Sequence, residues 1–288
     1  MKVPLYINIL VSNFINSKIV FFSMKHNSIV IFILILLFLI SQFIGLYVVG
    51  LSLGKELAFG IEKPQLEENT SFLYIFLIII VVTLIALLLA RFKAILLWKV
   101  WFFISVVLVL TISLSFFVPQ EIAFLLSLVA AFFKIIKPHL LIHNMSELFL
   151  YGGIAALFVE TVNIFSVSLL ILLISLYDIY AVWKSKHMIK LAMFQSTLKI
   201  FSGFIVPYQE KKREKVALLG GGDIGFPLLF SGVILKEFGT RAFIIPFIVG
   251  LSLFYLLYTG EKNKFYPAMP YLGVGCFVGY GLVLLTTL

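Results

Sequence analysis

Two aspartates are the residues of this chain whose type and placement could do chemistry. They are the only aspartates in the 288 residues, and both lie in apolar stretches: Asp178 in LLISLYDIYAVW and Asp223 in LLGGGDIGF. An ionisable side chain inside an apolar span costs roughly 2.5–3.5 kcal/mol on insertion scales. Neither aspartate has a lysine within one helical turn, which disfavours a purely structural ion pair. Both are therefore candidates for function.

The basic loop between the two aspartates predicts that their carboxylates reach a similar depth. Asp178 lies six residues before Lys184, and Asp223 lies eight residues after Lys215. These separations are about 9 Å and about 12 Å along a helix. Because the two spans leave the same loop in opposite directions, the carboxylates can meet if the helices touch.

Two carboxylates in contact have a specific chemistry. They cannot both ionise cheaply, so the pair holds a shared proton. One group can then act as general base on a water molecule while the other, protonated, polarises a carbonyl. The pair titrates as a unit, so acid and base are not assigned individually. This arrangement predicts aspartic peptide hydrolysis.

The residues around Asp223 are unusual for an apolar span. Gly220, Gly221 and Gly222 precede it, and Pro227 follows it by four residues. The missing side chains allow a second backbone to approach closely, although simple helix packing through small residues would use the same glycines. Pro227 has no N–H to donate to the Asp223 carbonyl, which predicts a loosened helix near the carboxylate.

A third irregular stretch, KFYPAMPYLGVG, opens the last apolar run. Pro267 and Pro270 bracket Ala268 and Met269, and two prolines so close together resist helix and leave backbone groups unpaired. Such backbone is tolerated at depth only where it is buried in protein or lines a cavity. Proline is also common in the first turn of a helix, and the spacing alone favours that simpler explanation.

Membrane-spanning helices are predicted to position these residues. Of the whole chain, 62% is hydrophobic and 12% charged, which is typical of a polytopic helical membrane protein and excludes an ordinary soluble domain. Each strong apolar run has about the ~20 residues that cross ~30 Å of hydrocarbon. Nine spans are predicted, of which the fourth and fifth could instead form a re-entrant pair: 28–53, 71–90, 100–118, 121–136, 140–159, 162–183, 216–235, 242–259 and 268–287.

The basic residues predict the orientation in the membrane. With a cytoplasmic N-terminus, only Lys55, Lys63, Lys236 and Arg241 of the 22 Lys and Arg residues fall on the outer side. This positive-inside bias predicts a cytoplasmic N-terminus and an external C-terminus. It also accounts for the excess of basic over acidic residues without nucleic acid as a partner.

A single all-α membrane domain, 1–288, is therefore expected. It comprises an interfacial N-terminal arm (1–27), spans one to five (28–160), span six with Asp178 (161–183), a basic cytoplasmic loop (184–215) and spans seven to nine (216–288). The single cysteine, Cys276, excludes an intrachain disulfide.

At these motifs the chain resembles the presenilin and signal peptide peptidase family of intramembrane aspartyl proteases, in particular its archaeal members. Tyr177-Asp178 matches the family's YD motif, Gly220-Gly221-Gly222-Asp223 matches its GxGD motif, and Pro267-Ala268-Met269 matches its PAL motif with Met in place of Leu. The three motifs occur in the family's order, and the resemblance covers most of the chain.

The resemblance implies a nine-helix presenilin-like fold in which Asp178 and Asp223 are the catalytic pair. It implies that Pro267 to Met269 shapes the site and contacts the substrate backbone. It further implies a multi-pass protein of the cell membrane that cleaves transmembrane-helix substrates whose N-terminus is outside. No cofactor beyond a catalytic water and no obligatory protein partner are expected. As a hypothesis, the segment 199–208 (KIFSGFIVPY) pairs with unwound substrate as a strand; an amphipathic helix on the membrane is the alternative.

Three rival interpretations stay open at this point. His139, His143 and Glu147 are spaced i, i+4 and i+8, so one helical face could bind a metal, but the HExxH pattern of zinc proteases is absent. Buried aspartates beside broken helices also occur in ion-coupled transporters and channels, although no inverted repeat is visible. A prepilin-type peptidase would share the GxGD aspartate but lacks the other two motifs.

Overall fold

A computed structural model of the chain describes residues 28–92, 94–185, 200–210, 213–260 and 266–286, together with 191 and 195. The predicted interfacial arm at 1–27 and most of the basic stretch 186–199 lie outside the described residues. Within the described part, nine α-helices and one β-hairpin form. The helices are α1 Ser28–Ser52, α2 Ser71–Arg91, α3 Ile95–Leu114, α4 Gln120–Ala131, α5 Leu140–Phe158, α6 Ile164–Ile179, α7 Gly221–Phe238, α8 Ile244–Thr259 and α9 Met269–Leu285; the strands are β1 Gly203–Glu210 and β2 Arg213–Gly220.

The helices have the length and composition of membrane spans. Six helical stretches among the described residues are long and apolar enough to cross a membrane, and the last of them, Gly221–Thr259, contains both α7 and α8. α9 is apolar but shorter, and α4 has only 12 residues, about 18 Å of rise. A multi-pass membrane protein follows, whereas nine separate crossings stay a prediction.

The all-α expectation is wrong in one place, because a two-stranded antiparallel sheet precedes α7. The ladder runs from Gly203 opposite Gly220 to Glu210 opposite Arg213. The seventh span therefore begins at Gly221 and not at 216, and the stretch 184–215 is not simply a loop. The ladder pairs backbone groups that an irregular segment at this depth would leave unsatisfied.

α7 is the central helix of the molecule. It packs against α1, α5, α6, α8 and α9, and its Leu228, Phe230 and Val233 are fully buried. Small residues allow this density: a methyl group at Gly45 on α1 would overlap the Leu228 side chain. The helix that carries Asp223 is thus held on most of its circumference.

Candidate active site

Asp178 lies in the last turn of α6, just before a single π turn at Tyr180–Lys184. Its side chain is buried, with 6% exposure. The backbone N–H of Met269 donates a hydrogen bond to Asp178 Oδ2 over 3.0 Å, and the Ala268 amide also interacts with this carboxylate. The first aspartate is therefore bound by main-chain donors from the start of α9.

The stretch from Pro267 to Pro270 is both a simple helix start and a buried piece of backbone with unpaired groups, the two interpretations made from its sequence. α9 begins at Met269 with a proline in its first turn, as a simple helix start requires. The first N–H groups of a helix have no partner within the helix, and that leaves the Met269 amide free to bind Asp178. Ala268 and Met269 are themselves buried, so this stretch shapes the site around Asp178.

Asp223 occupies the first turn of α7, whose N-cap is Gly220. The side chain is half-buried, and the Gly220 backbone amide interacts with its carboxylate. The predicted start of this span at residue 216 was wrong, because the chain is a strand up to Gly220. α7 runs unbroken through Pro227, which is buried, so the proline does not interrupt the helix. The Gln42 side chain donates to the carbonyl of Ile224 over 2.8 Å.

The two aspartates lie within electrostatic range of each other although they are 45 residues apart in the chain. α6 packs against α7, and the Asp178 carboxylate is close enough to Asp223 for their charges to interact. One carboxylate thus lies at the C-terminal end of its helix and the other at the N-terminal end of its own. This geometry is compatible with a pair that shares one proton.

The three glycines before Asp223 have three different surroundings. A methyl group at Gly221 would lie 2.8 Å from Ser202 Oγ and 3.0 Å from the Tyr151 hydroxyl. One at Gly220 would lie 3.2 Å from Asp223 Oδ2, whereas Gly222 is exposed and a methyl group there would meet only the Phe226 ring, at 3.5 Å. The expected close approach therefore occurs at Gly221.

The hairpin ends beside this site, and α5 covers one of its edges. Asn144 Oδ1 accepts from the Ile205 N–H over 3.0 Å, and Asn144 Nδ2 donates to the Ile205 carbonyl over 2.8 Å. His143 Nε2 lies 2.8 Å from the Gly203 carbonyl. In an antiparallel ladder, two residues opposite each other either bond to one another or both point their N–H and C=O groups away from the pair. Ile205 points its groups away from β2, toward Asn144. The N–H and C=O of Leu218, opposite Ile205, therefore point to the outer edge of β2.

Tyr177, the neighbour of Asp178 in the chain, contacts α2. Its ring lies edge-on to Phe76 of α2, with centroids 6.2 Å apart, and its hydroxyl interacts with Thr83 of the same helix. The tyrosine of the YD motif therefore ties α6 to α2.

The side chains of His139, His143 and Glu147, which the sequence places on one helical face, do not converge on a common site. His143 is hydrogen-bonded to the carbonyl of Gly203, and Glu147 binds Lys134 and Tyr151. In the part of the chain that the structure describes, no group of three His, Cys, Asp or Glu side chains could hold a metal ion.

Sequence reasoning missed a polar cluster behind Asp223. Lys134, which the predicted orientation places among the basic residues of the cytoplasmic side, is buried and forms an ion pair with Glu147. Tyr151 donates to the same carboxylate. Opposite charges in two consecutive apolar stretches were the available signal, but their contact depends on how α4 turns into α5.

Comparison with known proteins identifies relatives of this chain. The family described as "Signal-peptide peptidase, presenilin aspartyl protease" matches residues 35–287. A solved presenilin family intramembrane aspartate protease in space group P2 superposes with a TM-score of 0.59 at 18% identity, covering 88% of this chain and 96% of that one. A second such structure, in space group C222, has a TM-score of 0.58 at 19% identity and covers 88% and 99%.

The two structural similarities show a shared fold. No curated protein matches the chain significantly. These findings favour neither the transporter nor the prepilin-type alternative.

Proposed function

Because the chain belongs to the signal-peptide peptidase and presenilin family of aspartyl proteases, we propose that it is an endopeptidase that hydrolyses peptide bonds within transmembrane helices. Membership of this family and the similar solved structures indicate an intramembrane aspartyl protease. The observation that carries the catalytic assignment is that the chain's two aspartates, on the packed helices α6 and α7, lie within electrostatic range of each other.

The proposed reaction uses one water and one shared proton. The ionised carboxylate of the pair takes a proton from water, and the resulting nucleophile attacks the scissile carbonyl carbon while the protonated carboxyl donates to the carbonyl oxygen. When the tetrahedral intermediate collapses, a carboxyl returns a proton to the departing amine. The Met269 N–H holds Asp178 in place throughout. No cofactor beyond the water is proposed.

The substrate helix has to open before this chemistry can occur, because a fully hydrogen-bonded helix hides its carbonyl groups. An opened segment needs new backbone partners in a membrane. The outer edge of β2 next to Asp223 offers the Leu218 N–H and C=O, whereas Asn144 already occupies the corresponding position on β1. We therefore assign strand pairing with the substrate to β2 and not to the segment 199–208.

The topology completes the proposal. The positive-inside bias supports a cytoplasmic N-terminus, and with the nine crossings predicted from the apolar runs the C-terminus is external. The aspartates then lie toward the cytoplasmic side of the cell membrane, where water can reach them. Substrates would be single-span proteins with their N-terminus outside, and no protein partner is required.

The test is cleavage of a single-span substrate by the purified protein in bilayers. Asp178→Asn and Asp223→Asn should each abolish cuts within the apolar segment, with products mapped by mass. Glu160→Gln, the same kind of change at the other end of the helices, is the matched control and should cleave normally. Near-normal cleavage by either folded aspartate variant would exclude the two-carboxylate mechanism.

A further inference from the structure

A buried polar cluster lies behind Asp223, and the proposed reaction does not use it. Lys134 and Glu147 are 1% and 0% exposed and form an ion pair. Lys134 Nζ also donates to Ser146 Oγ over 3.3 Å. The second oxygen of Glu147 accepts a hydrogen bond from the Tyr151 hydroxyl, and Tyr151 is 2% exposed. Both oxygens of the Glu147 carboxylate are thus occupied by buried donors.

Tyr151 connects this cluster to the first turn of α7. Its hydroxyl lies 3.0 Å from the position of a methyl group on Gly221, and its ring lies 3.5 Å from one on Gly225. It also interacts with the Ser202 hydroxyl, and the Ser202 carbonyl accepts from the Gly221 N–H over 3.0 Å. The ring therefore rests on the glycine side of the turn that carries Asp223.

The tyrosine is also within electrostatic range of the aspartate itself. Tyr151 lies near enough to Asp223 to be influenced by its charge, and the residues from Gly221 to Gly225 form a single turn of α7. A shift of the tyrosine would therefore move both the backbone of this turn and the surroundings of the carboxylate.

The chemistry of the cluster indicates more than packing. A buried ion pair stabilises a fold poorly compared with apolar side chains of the same volume, because both charges lose their hydration. What such a pair does provide is a defined direction for the groups bonded to it. Here that group is Tyr151, and the surface it meets is the turn with Asp223.

We propose that Tyr151, oriented by the buried Lys134–Glu147 ion pair, is a positioning residue that sets the first turn of α7 and with it the Asp223 carboxylate. This inference rests on the proposed protease function. It assigns to α5 a direct part in the reaction geometry, although α5 carries none of the three family motifs.

Tyr151→Phe is the first test, because it removes the hydroxyl and keeps the ring. Loss of a hydrogen bond to a charged group predicts that kcat falls roughly tenfold to a hundredfold, while KM changes less than about twofold because the substrate strand binds elsewhere. Tyr280→Phe is the matched control: that tyrosine packs against Phe230 and Phe238, further along α7. An unchanged kcat in folded Tyr151→Phe would overturn the proposal.

The ion pair is tested by two double variants that remove both charges. In Lys134→Met/Glu147→Gln the ion pair is gone but the amide oxygen can still accept from Tyr151, so kcat should fall clearly less than in Tyr151→Phe. In Lys134→Met/Glu147→Leu the acceptor is gone, and kcat should fall as far as in Tyr151→Phe. Equal kcat values for the two double variants would show that the bond to Tyr151 has no part in positioning.

A readout independent of cleavage separates this inference from the proposed function. Amide hydrogen exchange of the peptide covering Gly221 to Gly225 should rise several-fold in Tyr151→Phe and stay unchanged in Tyr280→Phe. If the wild type shows no cleavage and amide exchange nevertheless rises in Tyr151→Phe, the protease proposal fails and the positioning role of Tyr151 stands. If the exchange is unchanged, the positioning is wrong whatever the activity.

Discussion

Two lysine–glutamate pairs lie at opposite ends of the helices, and their surroundings differ. Lys134 and Glu147 have side chains that are 1% and 0% exposed, and Tyr151 links them to the turn that carries Asp223. Lys63 and Glu160 are 2.8 Å apart with side chains 15% and 29% exposed, at the other end. The chemistry of the two pairs is the same, but only the Lys63–Glu160 pair is partly exposed.

The partners of each pair show what it does. Lys63 Nζ also donates to the carbonyls of Ser52 and Lys55, and Glu160 accepts from the Gly54 N–H. This pair ties the segment after α1 to the end of α5. The buried pair instead forms hydrogen bonds with the hydroxyl groups of Ser146 and Tyr151. The partly exposed Lys63–Glu160 pair connects two segments of the chain, whereas the buried Lys134–Glu147 pair orients Tyr151.

The largest expected effect comes from breaking the buried pair on one side. Glu147→Gln leaves the Lys134 charge without its partner, and the free energy of unfolding should fall by about 3–5 kcal/mol. Thermal unfolding in detergent measures this loss. Lys134→Met/Glu147→Gln should recover most of the stability, and a single variant within about 1 kcal/mol of the wild type would contradict the burial argument.

The glycines of the GxGD motif provide a matched pair of substitutions. Gly221→Ala places a methyl group against Ser202 and Tyr151, and such overpacking should cost about 1–3 kcal/mol and lower kcat. Gly222→Ala meets no close neighbour and should be neutral, or stabilise by up to about 1 kcal/mol through helix propensity. Unfolding and cleavage assays on both variants measure the difference, and equal behaviour would contradict the assigned contacts.

A smaller effect is expected at the covered edge of the hairpin. Asn144→Ala removes both bonds to Ile205 and should lower the free energy of unfolding by roughly 1–2 kcal/mol. Amide exchange in β1 should rise more than exchange in α8. If β1 is as protected in the variant as in the wild type, the asparagine is not what holds this edge.

The smallest effect is expected at the accessible pair. Lys63→Met should cost no more than about 1 kcal/mol and leave kcat unchanged, because this pair lies far from the aspartates along α5. Raising the ionic strength should reduce the difference further. A loss as large as that of Glu147→Gln would remove the distinction between the two ends.

Helix positions were largely predictable from the lengths of the apolar runs. The error at residues 216–220 has a simple cause: VALLG continues the apolar run of α7 without interruption, and a short apolar run does not distinguish strand from helix. Only the pairing of Val216 with Pro207 and of Leu218 with Ile205 decides for strand, and that pairing joins residues from either side of the turn.

The aspartates were predictable for a different reason. A carboxylate in an apolar span is costly enough to stand out from a single sequence, and the basic loop indicated their common depth. Lys134 and Tyr151 were not predictable in this way. Lysine near a predicted span end is common, and a tyrosine on an apolar helix carries no signal until its partner is known.

The amino-acid sequence by itself determined which two residues are the candidates for the chemistry and which apolar stretches carry them, because composition and rarity act residue by residue. The tertiary structure alone decided how each carboxylate is held. Met269 N–H binds Asp178, and Tyr151 meets the turn of Asp223, through contacts between helices distant in the chain. Such contacts depend on the packing of whole helices against one another, which no local stretch of sequence specifies.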